Sequence, residues 1–153
     1  MLDARLVSSS LLSSHWEGVI RELSSLLVRT GYVKGSFADA SVEREREFPT
    51  GLPTPTIGVA IPHADVLHVN KPAMAIGVCR TPVRFGVMGG ATGETMDVSL
   101  VFLLAIAEAH AHIDTLTQLM AFFQDADATA AVVRAKTPED MLTVVRKYVT
   151  HDV

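Results

Sequence analysis

The chain has 153 residues, of which 48% are hydrophobic and 20% charged, the composition of a folded globular protein with enough length for a sizeable core. Its net charge of −4 and the lack of a Lys/Arg cluster exclude a nucleic-acid backbone as an expected partner, and the lone Cys79 excludes an intramolecular disulfide and fits a reducing compartment. The N-terminal segment lacks a basic start followed by an unbroken apolar run, and the longest apolar stretch, Leu100–Ala107, is too short to span a bilayer. The expectation is a soluble, cytoplasmic single domain over residues 1–153, with no nucleic acid bound and no direct membrane insertion.

Ser14 and Glu17 stand three positions apart in a capping-box pattern, and Trp16, Ile20, Leu23 and Leu27 follow at helical spacing up to a natural stop at Gly31. A second helix is predicted over Phe37–Glu47, with Glu43–Glu47 mostly a solvated face. Pro49–Thr56 holds three prolines and reads as a loop. Ile57–Ile61, Met74–Cys79 and Val98–Ile106 read as strands, Pro82–Phe85 as a fourth short one, and Gly86–Gly93 as a turn-rich connection. Beyond Ala107 the period changes: Ile113, Leu116, Leu119, Met120 and Phe123 mark an amphipathic helix, and Asp127–Ala135 reads as a short one. Pro138 then opens a final helix carrying Met141, Val144, Val145 and Tyr148 on one side. Helices, a block of strands and more helices predict an α/β or α+β sandwich around one mixed sheet.

Chemistry concentrates at Gly58–Asp65, where an apolar strand stops at Pro62 and hands His63 to a loop. Histidine is the side chain whose ordinary pKa lies near neutral pH, so His63 suits a nucleophile, a proton carrier or a metal ligand. His110 and His112 lie between the Val98–Ile106 strand and the next helix, and reach His63 if the two strands are neighbours leaving the sheet on the same side. His63 with Asp65, and His110 with His112, have alternate spacing that on extended segments offers four ligands to a divalent ion, although no HExxH or cysteine-based spacing is present. His15, His68 and His151 read as surface residues. Gly89, Gly90 and Gly93 lack the Lys-Ser/Thr ending of a P-loop and read as a tight turn, with Glu94 and Asp97 solvating it. No GxSxG elbow occurs, and Cys79 lies inside an apolar strand as a packing residue.

Arg44-Glu45, then Pro49-Thr50-Gly51, then Gly58-Val-Ala-Ile-Pro-His63, then a histidine opening the helix after a strand resemble the enzyme IIA component of the fructose–mannitol type. That component serves the bacterial phosphoenolpyruvate-dependent sugar phosphotransferase system. The resemblance runs from the first helix to Val149, and Pro62–Asp65, Pro82–Gly86 and Met88–Gly90 look most like the galactitol branch. It implies a three-layer α/β/α sandwich around a small mixed β-sheet, and a phosphotransferase role with no cofactor, ATP site or metal. His63 would be the phosphorylated residue, taking the group from the histidine phosphocarrier protein HPr and passing it to a cysteine of enzyme IIB. His112 would support the phosphoryl group, with His110 as the competing assignment, and Arg44 would face its oxygens, with Arg46 as the competitor. His63 would then lie at the rim of a shallow depression among apolar neighbours suited to brief docking. The alternatives are a regulatory module of the nitrogen-related branch and a metal-dependent hydrolase using His63, Asp65, His110 and His112.

Overall fold

The structure is a computed structural model that describes residues 2–106 and 109–150, with side chains at all of these except 109–112. Its centre is a five-stranded sheet in the order β1-β4-β5-β3-β2. The strands are β1 (Val7–Leu11), β2 (Gly51–Pro53), β3 (Gly58–Ala60), β4 (Ala73–Gly86) and β5 (Thr95–Ala105). The β1–β4 and β3–β5 pairs are parallel and the β4–β5 and β2–β3 pairs antiparallel, so the sheet is mixed.

Helices cover both faces, which is why the central strands read as nearly continuous apolar runs rather than as alternating ones. The pleat sends Ala73, Ala75 and Cys79 of β4 to one side, where Val19, Ile20, Leu23 and Leu27 of α1 (Trp16–Arg29) and Phe37 and Val42 of α2 (Phe37–Glu47) bury them. Met74, Ile76 and Val78 point the other way, onto α3 (Ala109–Gln124), α4 (Ala126–Arg134) and α5 (Pro138–Val145). Phe102 of β5 is the centre of that second layer, with its ring centroid 5.8 Å from Phe122 and 5.6 Å from Phe123. The expected three-layer α/β/α arrangement is therefore present.

Helix α1 starts one residue later than the capping box predicts. His15, not Ser14, is the N-cap, its ring Nδ1 accepting from the Glu17 amide at 3.3 Å. The predicted stop holds: Gly31 takes φ +82°, and the Gly31 and Tyr32 amides return to the carbonyls of Val28 and Leu27, each at 3.0 Å. Helix α2 has the predicted bounds. Pro49–Thr56 is not wholly a loop, because Gly51–Pro53 pairs with β3 as an edge strand, a position where proline is tolerated. Pro82–Phe85 is not a separate strand but the far part of β4, which shifts register between Val78 and Val83 around Pro82.

Candidate functional site

His63 is placed by the end of a parallel strand pair. Val59 and Ala60 of β3 stand opposite Leu100 and Val101 of β5, and the pairing extends to a last bridge between His63 and Leu104, whose amide donates to the Pro62 carbonyl at 2.9 Å. Pro62 has no N–H to continue the ladder, so the chain leaves the sheet there with His63 half-buried. Both strands exit at their C-terminal ends on the same edge, where α/β sheets commonly bind their ligands. This meets the condition under which His63 and the histidines after β5 share an edge. Helix α3 opens at Ala109, so His110 and His112 occupy its first turn; their side chains, like His151, lie outside the described residues. The extended His110–His112 segment that the paired-ligand idea requires is therefore helical.

The His63 Nδ1 lies 3.1 Å from the carbonyl oxygen of Ile61. A carbonyl only accepts, so Nδ1 carries a proton, and in the neutral form of the ring the lone pair resides on Nε2. Asp65 is turned to its own loop, accepting from the Val66 amide at 3.0 Å as the cap of the short 3-10 turn Val66–His68. Among the described residues, no three His, Cys, Asp or Glu side chains form a group that could hold a metal ion.

The residue the sequence reading misses is Glu45. Its neighbours in the Glu43–Glu47 run are exposed, but Glu45 is only 4% exposed and points inward. Its two carboxylate oxygens accept from the Thr50 amide at 2.7 Å and the Thr50 hydroxyl at 2.8 Å. The same hydroxyl oxygen accepts from the Ile61 amide at 3.1 Å. Burial pushes the Glu45 carboxyl up to about 7, against the two Thr50 hydrogen bonds and the positive charge of Arg44. A folded-state value above the ordinary 4.5 means that Glu45 contributes stability fully present below that pH and lost as pH rises through 7. We expect the stability of the protein minus that of Glu45→Gln to fall by on the order of 3 kcal/mol from about pH 4.5 to about pH 7.5, then level off. Denaturant unfolding of both proteins across that range checks it; a pH-independent difference contradicts it.

The two arginines that compete in sequence separate clearly. Arg46 is tied down, 2.6 Å from Glu17 and 2.5 Å from Glu43, with its guanidinium 5.6 Å from the Trp16 ring centroid. Arg44 is exposed, stacks 5.5 Å from the Phe48 ring centroid, and has no carboxylate partner among the described residues. The contacts that lead from α2 to His63 run through Glu45, while Arg44 stands beside them at the surface.

Gly89 and Gly93 have φ of +69° and +81°, so the glycine-rich segment is the hairpin turn expected of it. This turn and the end of α2 border an open cleft of about 580 Å³ that His63 does not line. Cys79 is buried, and desolvation raises its thiol to about 12, as expected of an inert packing residue. Asp97 pairs with Arg84 at 3.3 Å across the hairpin, and His68 bonds Ser36 at 2.7 Å. Just past His63, Val66 and Leu67 are exposed, as is Ile113 in the second turn of α3. Among the described residues no helix is long and apolar enough to cross a membrane.

Residues 1–148 match the family model of the phosphoenolpyruvate-dependent sugar phosphotransferase system, EIIA 2, and the chain belongs to that family. It is 23% identical to the fructose-specific EIIABC component of Bacillus subtilis, over 97% of this chain and 23% of that protein. It is 25% identical to the galactitol-specific EIIA component of Escherichia coli K12, over 75% of each. The first curated relatives it matches are much longer proteins, of which this chain spans about a quarter or less. Among solved structures it resembles the complex of enzyme IIAMTL and phosphorylated enzyme IIBMTL from E. coli, with TM-score 0.77 and 22% identity over 96% of this chain and 98% of that one.

Proposed function

We propose that this chain is a cytoplasmic phosphocarrier in sugar uptake, taking a phosphoryl group from phosphorylated HPr onto His63 and passing it to a cysteine of enzyme IIB. The observation that carries the proposal is the hydrogen bond from His63 Nδ1 to the Ile61 carbonyl at the C-terminal edge of the parallel pair. When the ring is neutral, this bond leaves the nucleophilic lone pair on Nε2. Nε2 attacks phosphorus as the donor's phosphorus–nitrogen bond breaks, and the donor imidazole recovers its lone pair. In the second half, a thiolate attacks the same phosphorus, and the Nε2–phosphorus bond breaks to restore His63.

The reaction needs little covalent help from the protein but much neutralisation at the phosphoryl oxygens. Arg44, exposed and without a carboxylate partner among the described residues, suits this better than Arg46, whose charge is spent on Glu17 and Glu43. His112, one turn into the helix that follows β5, is the proposed second donor. Exposed Val66 and Leu67 beside the histidine suit brief docking of protein partners. The likeness to a IIA chain solved with phosphorylated IIB supports the acceptor partner. The relatives differ in sugar, and galactitol remains one candidate beside fructose.

The test is a chase. Protein labelled by phosphoenolpyruvate, enzyme I and HPr should lose its label to a cognate enzyme IIB, and a label that stays put contradicts the proposal. Arg44→Ala and His112→Ala should each slow uptake of label about 100-fold, a magnitude usual for removing one oxyanion donor. Arg46→Ala should change it less than about threefold and cost under about 1 kcal/mol of stability, as exposed ion pairs do. A larger effect of Arg46→Ala than of Arg44→Ala, or of His110→Ala than of His112→Ala, would reverse the corresponding assignment.

A further inference from the structure

Ile61 lies one residue beyond the last backbone pair of β2 and β3, Gly51 with Ala60. At that point the edge strand no longer supplies an acceptor for the buried Ile61 amide, and the next residue, Pro62, has no N–H with which to hold the chain. The Thr50 side chain takes over, accepting from the Ile61 amide at 3.1 Å. Its hydroxyl proton is committed to Glu45 at 2.8 Å, and the second Glu45 oxygen takes the Thr50 amide at 2.7 Å. The Thr50 and Ile61 amides can only donate, so a Glu45 oxygen and the Thr50 hydroxyl oxygen are their acceptors, and with Glu45 ionised the Thr50 hydroxyl must donate to its other oxygen. At its other end, Ile61 presents its carbonyl to His63 Nδ1 at 3.1 Å.

We propose that Glu45 and Thr50 are positioning residues of the phosphoryl-acceptor site, holding Ile61 so that its carbonyl keeps His63 in the Nδ1–H tautomer with Nε2 as the attacking atom. This rests on the reading of His63 as the acceptor. A buried carboxyl is costly to place, and here both its oxygens are used on the one residue that anchors Ile61. Partners of this kind fix tautomer and ring orientation without touching the reacting group. Arg44, one residue earlier, touches solvent instead, so the Arg44-Glu45 pair divides into an outward charge and an inward brace.

The test reads the His63 ring directly, by nitrogen-15 NMR of the unphosphorylated protein, alongside initial rates of label uptake. The protein itself should show predominantly the Nδ1–H form. Thr50→Val, which keeps shape and the backbone amide bond but loses both hydroxyl hydrogen bonds, should shift the ring toward Nε2–H and slow uptake about 10-fold with the KM for phosphorylated HPr unchanged. Thr50→Ser should restore both readouts. A predominantly Nε2–H ring in the unmodified protein, or a folded Thr50→Val with unaltered tautomer and rate, overturns the proposal. If Thr50→Val does not fold, Glu45→Gln replaces it under the same criteria, since its amide presents a donor to the Thr50 hydroxyl. The spectrum of the unmodified protein stands by itself in either case. An absence of label on the unmodified protein would count against His63 as acceptor, while the ring spectrum would still judge the brace.

Discussion

His63→Ala should take up no acid-labile phosphate from phosphoenolpyruvate, enzyme I and HPr under conditions that label the unmodified protein fully. The effect is total rather than graded because the variant removes the attacking atom itself. It should also be clean. His63 is half-buried at the end of the β3–β5 pair, and the contacts that close that edge, Leu104 amide to Pro62 carbonyl and Ile61 amide to Thr50, are made by other residues. The variant should therefore keep its fold by circular dichroism. Persistent labelling of folded His63→Ala would place the acceptor elsewhere, with His110 and His112 the first residues to examine.

Phe102→Ala should lose about 3–5 kcal/mol, the range for deleting a fully buried aromatic ring. Phe102 is inaccessible to solvent and meets Phe122 and Phe123 edge-on at 68° and 66°, so the cavity opens where strand β5 binds helix α3. Phe122 in turn packs on Tyr148, whose hydroxyl donates to Asp125, the cap of α4, so the loss should reach the C-terminal helices. For a chain of this size it should lower the Tm by roughly 10 °C or more. A loss below about 1 kcal/mol in denaturant unfolding would mean that the layer closes over the gap.

The elements that sequence reading finds are those with an uninterrupted physical signature. Helix α2 has its predicted bounds, Pro138 opens α5 as its first residue, and Gly31 stops α1 where a left-handed residue is needed. The central strands are legible because both faces are covered and polar residues have no place in them. Strand β1 escapes notice because it is an edge strand whose middle is Ser8-Ser9-Ser10, with burial confined to Val7 and Leu11. Strand β2 escapes because Pro53 and the flanking Pro49 and Pro55 argue for a loop, and only the edge position makes Pro53 acceptable in a strand. At the site, His63 is visible from the strand that stops at Pro62. Glu45 is not, because a carboxylate in an alternating charged run looks solvated, and only Thr50, five residues on, explains its burial. The signal was the spacing of Glu45 to Thr50 together, since neither residue alone gives it.

The central claim concerns one atom, and it is tested most directly by locating the phosphoryl group on the labelled protein with phosphorus-31 and nitrogen-15 NMR. We predict a phosphorus–nitrogen coupling to Nε2 of His63, with the Nδ1 proton retained on the Ile61 carbonyl. A phosphoryl group on Nδ1 of His63, or on any other residue, would contradict it.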